Sequence, residues 1–319
     1  MTNSQKYDWG KFIRIKSDWL STYFSSDEFT SDKKLVSRCY GIKFSGTQHR
    51  YGELINHISS QIDKFVYSKE EKKAFEKEGK IPYREAMEYF GDVEPNSDGK
   101  YGELILFMLV ESILQAPMIA HKIKSAYGTD QVKGSDGLFI GEYNEFSAIF
   151  IGESKIMGKR SSGIDDALES VDRFHGKAGS DRYLKQDLII AKNTISKDLS
   201  GDELDYIYDS LDTSTNTFKQ NTLVHPILIM FDDSQISKIE TTGKNNAEVE
   251  ELFSDRIKKI LPELNDLVKK KIGNDYPELK TIYLDFFFIP VKDVNKFRYD
   301  MFESIHKTPY RKKEGKTKK

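Results

Sequence analysis

Two short apolar runs constrain the fold of this chain most. Residues 225–231 read HPILIMF and residues 281–291 read TIYLDFFFIPV. Such runs are typical of strands that are covered on both faces, as in sheets with parallel strands. The residues between them, 248–260, have the spacing of an amphipathic helix, and Pro262 is expected to begin a further helix. This alternation of strands and helices predicts an α/β protein with a mixed sheet.

The middle of the chain adds a buried helix and a hairpin. Residues 101–115, YGELILFMLVESILQ, contain no helix breaker after Gly102 and are apolar on nearly every side. A helix of this kind is buried. Residues 138–140 and 147–151 are predicted strands, joined as a hairpin across residues 141–145. Helices over about 163–174 and 292–305 complete a mixed central sheet flanked by helices.

A turn-rich stretch suggests how the chain is divided. Residues 92–100, DVEPNSDGK, are rich in turn formers. We therefore expect an N-terminal subdomain of mixed helical and strand content over residues 1–95, acting as a partner interface or a cap. A main domain follows over 96–305. Residues 306–319 are expected to be a flexible basic tail that either holds DNA or only aids solubility, while the net charge of the whole chain is only -2.

Several functional classes are excluded by missing residues. The one cysteine, Cys39, allows no internal disulfide and no thiolate zinc cluster. No apolar run approaches the ~20 residues of a membrane span, and no signal peptide is evident, so we expect a cytoplasmic protein. The chain has no P-loop, and hence no nucleotide site of that type. Its six histidines are scattered without metal-ligand spacing.

A group of acidic residues remains as the candidate site. Asp136 precedes the first hairpin strand, and Glu153 and Lys155 end the second. Alternation along a strand places Glu153 and Lys155 on one side and Ser154 on the other, while the hairpin brings Asp136 beside Glu153. Glu103, in the first turn of the buried helix, is a third acid. Two adjacent carboxylates repel each other, so a cation is needed to hold both in the ionised form. Their oxygen atoms are ligands that suit Mg²⁺ or Mn²⁺.

The chemistry predicted for such a site is hydrolysis of a phosphodiester. A divalent ion polarises a phosphate oxygen and lowers the pKa of bound water, and a nearby lysine can orient that water or offset charge on the phosphate. The triplet acid-x-Lys is not specific, because it also begins at Asp32, Glu70, Glu71, Glu78, Asp98 and Glu278, among other positions.

Structural interpretations of the same residues remain open. Glu153 and Lys155 can form a simple ion pair, Asp136 can be a turn residue, and Glu103 can be an acid favoured by a helix N-terminus. Lys159, Arg160 and Ser161 open a helix just after the lysine and are a candidate phosphate-binding site, although a solvated loop is an equal alternative.

The order of these residues resembles the PD-(D/E)xK nuclease superfamily. A helical Glu, a strand Asp and a Glu-x-Lys strand follow one another, but Ser135 stands where the superfamily motif has proline. More closely, YGELILFMLVESILQAPMIAHKIK, VKGSDGLFIGE and AIFIGESKIM look like the HamA family, nuclease subunits of the Hachiman anti-phage defence system.

The resemblance implies a restriction-endonuclease-like core in a protein of the bacterial cytosol. It makes Asp136, Glu153 and Glu103 metal ligands and Lys155 the catalytic lysine. It also implies a helicase partner, HamB, which restrains the nuclease until aberrant DNA releases it.

These observations give a leading hypothesis and two alternatives. The leading hypothesis is a Mg²⁺-dependent DNA nuclease that acts as a toxic effector. One alternative is a non-catalytic subunit that docks a helicase, and the second is an RNA-directed nuclease with the same chemistry.

Overall fold

A computed structural model describes residues 7–121, 135–175 and 180–311 of the chain. The basic tail beyond residue 311 and the motif residues 122–134 lie outside this part.

The strands are β1 Phe24–Asp32, β2 Leu35–Ile42, β3 Phe44–Ser45, β4 Gln48–His49, β5 Met118–His121, β6 Gly137–Tyr143, β7 Phe146–Ile156, β8 Thr222–Asp232 and β9 Tyr283–Val291. The helices in the first half are α1 Asp18–Tyr23, α2 Tyr51–Ser59, α3 Ile62–Val66, α4 Lys69–Lys77, α5 Pro82–Phe90 and α6 Lys100–Leu109. The later helices are α7 Arg160–His175, α8 Ser180–Lys192, α9 Asp202–Ser210, α10 Asn216–Gln220, α11 Gln235–Thr242, α12 Asn246–Asn274 and α13 Val294–His306.

Seven of the strands form one mixed sheet in the order β1-β2-β9-β8-β7-β6-β5. The strands β2, β9, β8 and β7 are parallel to one another, whereas β1 pairs with β2, β6 with β7, and β5 with β6 in antiparallel fashion. The two apolar runs form β8 and β9 at the centre of the sheet, where both faces are covered. The predicted α/β fold with a mixed central sheet flanked by helices is therefore confirmed.

Helices cover both faces of the sheet. Buried residues of α2, α3, α5, α6 and α13 form a core on one face. Those of α7, α11 and α12 cover the opposite face, and a third cluster lies around α8 and α9. Within the described part of the chain, no helix is long and apolar enough to cross a membrane.

The first 95 residues share the sheet and the core with the rest of the chain. Strand β2 pairs in parallel with β9, so that Leu35 lies opposite Leu284. Phe65 and Phe90 are buried in the same cluster as Tyr101 of α6. The predicted boundary at residue 95 therefore coincides with a turn in the chain, and neither the sheet nor the core is interrupted there.

The helix expected to begin at Pro262 is instead part of one long helix. α12 runs from Asn246 to Asn274 with Pro262 inside it. Buried residues recur every three or four positions on both sides of the proline, from Val249 to Ile272. Packing of this continuous apolar stripe outweighs the backbone hydrogen bond that proline removes.

A buried glutamate fixes the N-terminal segment to the central helix. Beyond α6 the chain continues as a π-helical turn, Val110–Leu114, which contains Glu111. Its carboxylate accepts hydrogen bonds from the backbone N–H groups of Arg14 (2.7 Å), Ile15 (3.0 Å) and Met118 (3.2 Å). The Arg14 guanidinium lies 3.2 Å from the same carboxylate, and both side chains are almost fully buried. Glu111 thus joins three separate backbone segments.

Candidate functional site

The hairpin register places Asp136 beside Glu153. Gly137 of β6 lies opposite Gly152 of β7, and the backbone N–H of Asp136 donates to the Gly152 carbonyl over 2.9 Å. Asp136 therefore lies one residue outside the outermost pair of the hairpin, opposite Glu153. Both acids are buried, with 7% and 4% of their surface exposed. This is the juxtaposition that alternation along the two strands predicts.

The Asp136 carboxylate is held by Ser154. Its Oδ2 accepts from the backbone N–H of Ser154 over 2.8 Å and from the Ser154 hydroxyl over 2.7 Å. These bonds extend the contact between the two chain segments to the residue just before β6 begins at Gly137. Ser154 does point away from Glu153 and Lys155, as the sequence predicts. Its role in fixing Asp136 was not apparent from the sequence, because a serine between two charged motif residues carries no recognisable signal.

Close packing brings helix α6 onto the Ser154 side of the sheet. A Cβ at Gly102 would lie 2.8 Å from the Ser154 Oγ, and a Cβ at Gly152 would lie 2.9 Å from Cδ2 of Leu106. Any side chain at these glycines would push the helix away from β7. The predicted acid Glu103 follows Gly102 directly, and it is buried in the first turn of α6.

Glu153 and Lys155 lie on the opposite side of the same strand. The Lys155 ammonium is 2.5 Å from Oε1 of Glu153, and its side chain is one quarter exposed. The Cβ of Lys155 faces Gly163 in the second turn of α7, so that helix α7 covers this pair. The structure therefore joins Glu153 with Lys155 on the α7 side of β7, whereas α6, the helix that carries Glu103, packs on the Ser154 side.

The number of carboxylate side chains at the site decides whether it suits a divalent metal ion. In residues 7–121, 135–175 and 180–311, no three His, Cys, Asp or Glu side chains gather closely enough to hold a metal. Two buried carboxylates, Asp136 and Glu153, nevertheless occupy adjacent strand positions. Oxygen donors in this number fit Mg²⁺, which is commonly bound by one or two carboxylates together with water and substrate phosphates.

Glu103 lies among polar residues that sequence reasoning did not connect with the site. The half-buried Tyr89 of α5 is close enough for its pKa to be raised, first by burial and then by the charges of Glu103, Asp98 and Asp136. The ammonium of Lys100 donates to the Phe90 carbonyl over 2.9 Å and to Asp98 over 3.4 Å. Asp98 and Lys100 are another acid-x-Lys pair, and both residues are buried.

The predicted phosphate-binding residues lie where α7 begins. The helix starts at Arg160, and the N–H of Gly163 donates to the carbonyl of Lys159. Lys159 and Ser161 are exposed, while Arg160 forms an ion pair with Glu263 of α12 over 3.2 Å. These residues lie at the end of α7 that covers Lys155.

The HamA family model matches residues 14–305, which is nearly the whole chain. The chain belongs to the HamA family. HamA proteins are components of the Hachiman anti-phage defence system, so this chain is a component of such a system. No curated protein matches the chain. The match also covers residues 14–95, a stretch in which the sequence contains no recognisable motif.

Two histidines of this HamA chain that are distant in sequence meet in the structure. The Nε2 atoms of His175, at the end of α7, and His225, in β8, are 2.7 Å apart. Burial lowers the pKa of His175 to about 4. The pKa of His225 is lowered well below its usual value by burial and by His175. The pair is therefore neutral at pH 7, with one imidazole donating to the other.

This pair predicts loss of stability in weak acid. Below the usual histidine pKa of about 6.5, the unfolded chain binds protons that the folded chain does not, so the free energy of unfolding falls with falling pH. Each imidazole contributes a slope of up to about 1.4 kcal/mol per pH unit, between about pH 6.5 and the folded pKa. Urea unfolding at several pH values measures this slope. The double variant His175→Asn/His225→Asn should show a shallower slope, and an unchanged slope would contradict the assignment.

Proposed function

We propose that this chain is the metal-dependent DNA nuclease of its Hachiman system. The observation that carries the proposal is the pair of buried carboxylates, Asp136 and Glu153, on adjacent strand positions, with Lys155 bound to Glu153. A buried acid pair next to a lysine is costly to maintain for stability alone. Family membership and the order of the motif residues support the same function.

Asp136 and Glu153 are the residues that would hold Mg²⁺ or Mn²⁺. A bound ion of this kind polarises a phosphodiester oxygen and lowers the pKa of a bound water. Ser154 keeps the Asp136 carboxylate in place through its N–H and hydroxyl. The Lys155 ammonium, fixed by Glu153, would offset the negative charge that develops on the phosphate. Glu103, buried in the first turn of α6, is proposed as a third acid of the site.

The start of α7 would hold a neighbouring phosphate. Lys159 and Ser161 are exposed beside the helix N-terminus, where backbone N–H groups favour anions. Arg160 would exchange its exposed ion pair with Glu263 for a phosphate, because such a surface pair contributes little stability. In this proposal DNA would lie across the end of the sheet at which Lys155 lies.

The partner proposed for this nuclease is the helicase subunit HamB, in a heterodimer. Membership of the HamA family supports this partner, and the absence of a P-loop is consistent with a separate ATPase. In this proposal the helicase restrains the nuclease until aberrant DNA releases it. The activity would then be a toxic effector function, acting in the bacterial cytosol.

A supercoiled-plasmid assay tests the proposed activity. The purified chain should nick DNA with Mg²⁺ or Mn²⁺ and should be inactive with EDTA. Glu153→Gln should reduce the initial rate by at least about 100-fold, because it removes a charged ligand and the partner of Lys155. The matched control is Glu278→Gln, which alters the exposed Glu-x-Lys triplet at residues 278–280 and should cleave at the wild-type rate.

Two further reactions separate the alternatives. A parallel RNA substrate distinguishes an RNA-directed nuclease, which would cut RNA and leave the plasmid intact. If the chain alone is silent, the assay is repeated with the helicase subunit and ATP. Absence of cleavage under that condition as well would contradict the nuclease proposal and favour a non-catalytic subunit.

A further inference from the structure

Asp187 of helix α8 holds the chain immediately before Asp136. Its Oδ2 accepts a hydrogen bond from the backbone N–H of Ser135 over 2.8 Å, although the two residues are 52 positions apart in sequence. The side chain of Asp187 is half-buried. No motif of the sequence includes this residue, and only the fold brings it to the candidate site.

Helix α8 packs on the side of the sheet from which Glu153 projects. Leu188, the residue after Asp187, is buried in the same apolar cluster as Ile151 of β7. Ile151 and Glu153 are two positions apart on one strand, so their side chains project from the same face. Asp187 therefore reaches Ser135 from the face that carries Glu153, opposite to the face on which α6 packs.

The contact from Asp187 restrains a residue that strand pairing alone does not hold. Asp136 lies just before β6, and its own N–H donates to the Gly152 carbonyl over 2.9 Å. Ser154 holds its carboxylate. The bond from Ser135 to Asp187 adds a restraint on the residue before it. Because the acceptor is a carboxylate, this bond is stronger than one between neutral groups.

Ser135 itself shows why a hydrogen bond is needed here. It stands where the nuclease motif has proline. A proline ring fixes φ and carries no N–H, so it restrains the backbone without a partner. Serine leaves φ free and presents an N–H, and in this chain that N–H is bonded to Asp187. The hydrogen bond thus takes the place of the covalent restraint.

We propose that Asp187 is a positioning residue of the metal site. By holding the N–H of Ser135, it keeps the Asp136 carboxylate where that group binds Mg²⁺ or Mn²⁺. Asp187 acts on the ion through Ser135 and Asp136. This inference rests on the proposed nuclease function, and it assigns α8 a direct part in that site.

Binding of Mn²⁺ to Asp187→Ala and Asp187→Asn tests the inference. Electron paramagnetic resonance measures free Mn²⁺ during titration of the purified chain, and binding that Glu153→Gln abolishes is assigned to the site. Asp187→Ala should raise the Kd for Mn²⁺ about tenfold, as is typical when a group that orients a metal ligand is removed. Asp187→Asn should recover most of the affinity, because its side-chain carbonyl still accepts from the Ser135 N–H. An Asp187→Asn variant that binds Mn²⁺ as weakly as Asp187→Ala would overturn the proposal.

Ser135→Pro separates positioning from a direct effect of charge. This variant lacks the N–H, so adding Asp187→Ala to it should leave the Kd for Mn²⁺ unchanged. An equal loss of affinity on adding Asp187→Ala to the wild type and to Ser135→Pro would mean that the negative charge itself attracts the ion, which contradicts positioning. Thermal melts in EDTA confirm that each variant folds.

Asp198→Ala is the matched control. Asp198 is also half-buried, and it accepts backbone N–H bonds from Lys69 and Glu70 over 3.0 Å each. Its Kd for Mn²⁺ should equal that of the wild type. If the wild type binds Mn²⁺ and cleaves DNA, equal affinity of Asp187→Ala and Asp198→Ala overturns this inference alone. If the wild type neither binds Mn²⁺ nor cleaves DNA, even with the helicase subunit and ATP, the proposed function and this inference both fail.

Discussion

DNA cleavage should fall at least about 100-fold when Lys155 is replaced by methionine, a loss comparable to that of one electrostatic group in other active sites. Methionine keeps most of the length and apolar stem of the side chain, so packing against α7 at Gly163 is preserved. What is lost is the ammonium, and with it the ion pair to Glu153. Initial rates of plasmid nicking, measured at saturating Mg²⁺, give the effect directly.

The matched control for this variant is Lys280→Met. It belongs to a triplet of the same spacing, Glu278-Leu279-Lys280, in a short 3-10 helix at which both charged side chains are exposed. Its cleavage rate should equal that of the wild type. Equal rates for Lys155→Met and Lys280→Met, with both proteins folded by circular dichroism, would show that Lys155 serves only as a structural ion pair.

Replacing Glu111 by alanine should destabilise the fold by about 3–5 kcal/mol, the typical cost of breaking a buried ion pair from one side. Three backbone N–H groups would lose their acceptor, and the Arg14 guanidinium would remain buried without its partner. Each unsatisfied donor adds a desolvation cost. Urea unfolding followed by tryptophan fluorescence measures the loss, since Trp19 donates to the neighbouring Ser112.

Glu251→Ala is the control for the Glu111→Ala variant. Glu251 is also helical, in α12, but it is exposed. Its replacement should change the free energy of unfolding by no more than about 0.5 kcal/mol. Similar effects of the two substitutions would mean that the hydrogen bonds of Glu111 are offset by the cost of burying its charge.

Much of the fold around the site follows from sequence periodicity. Strands β6 to β9 and helix α6 were predictable because each is either a continuous apolar run or an alternating one near a turn. The hairpin register, and hence the approach of Asp136 to Glu153, follows from the same alternation. These features depend on local pattern, which a single sequence contains.

Features that depend on distant contacts could not be predicted. Strands β1 and β2 contain few continuous apolar residues, and they become part of the sheet only through β9, some 250 residues later. The face of β7 against which α6 packs is another such feature, since Gly102 and Gly152 permit close approach on the Ser154 side. Pro262 inside α12 is a third case, since tertiary packing outweighed a local helix breaker.

The pairing of β2 with β9 also has a consequence for synthesis of the chain on the ribosome. Strand β2 is made early, but its inner neighbour is complete only when Val291 has been added. The parallel centre of the sheet therefore closes only after residue 291 has been made, long after β2, because such long-range pairings form late. A polypeptide interrupted before that point lacks the strand that links its first part to the candidate site. Incomplete copies of the chain would thus be left without a finished candidate site.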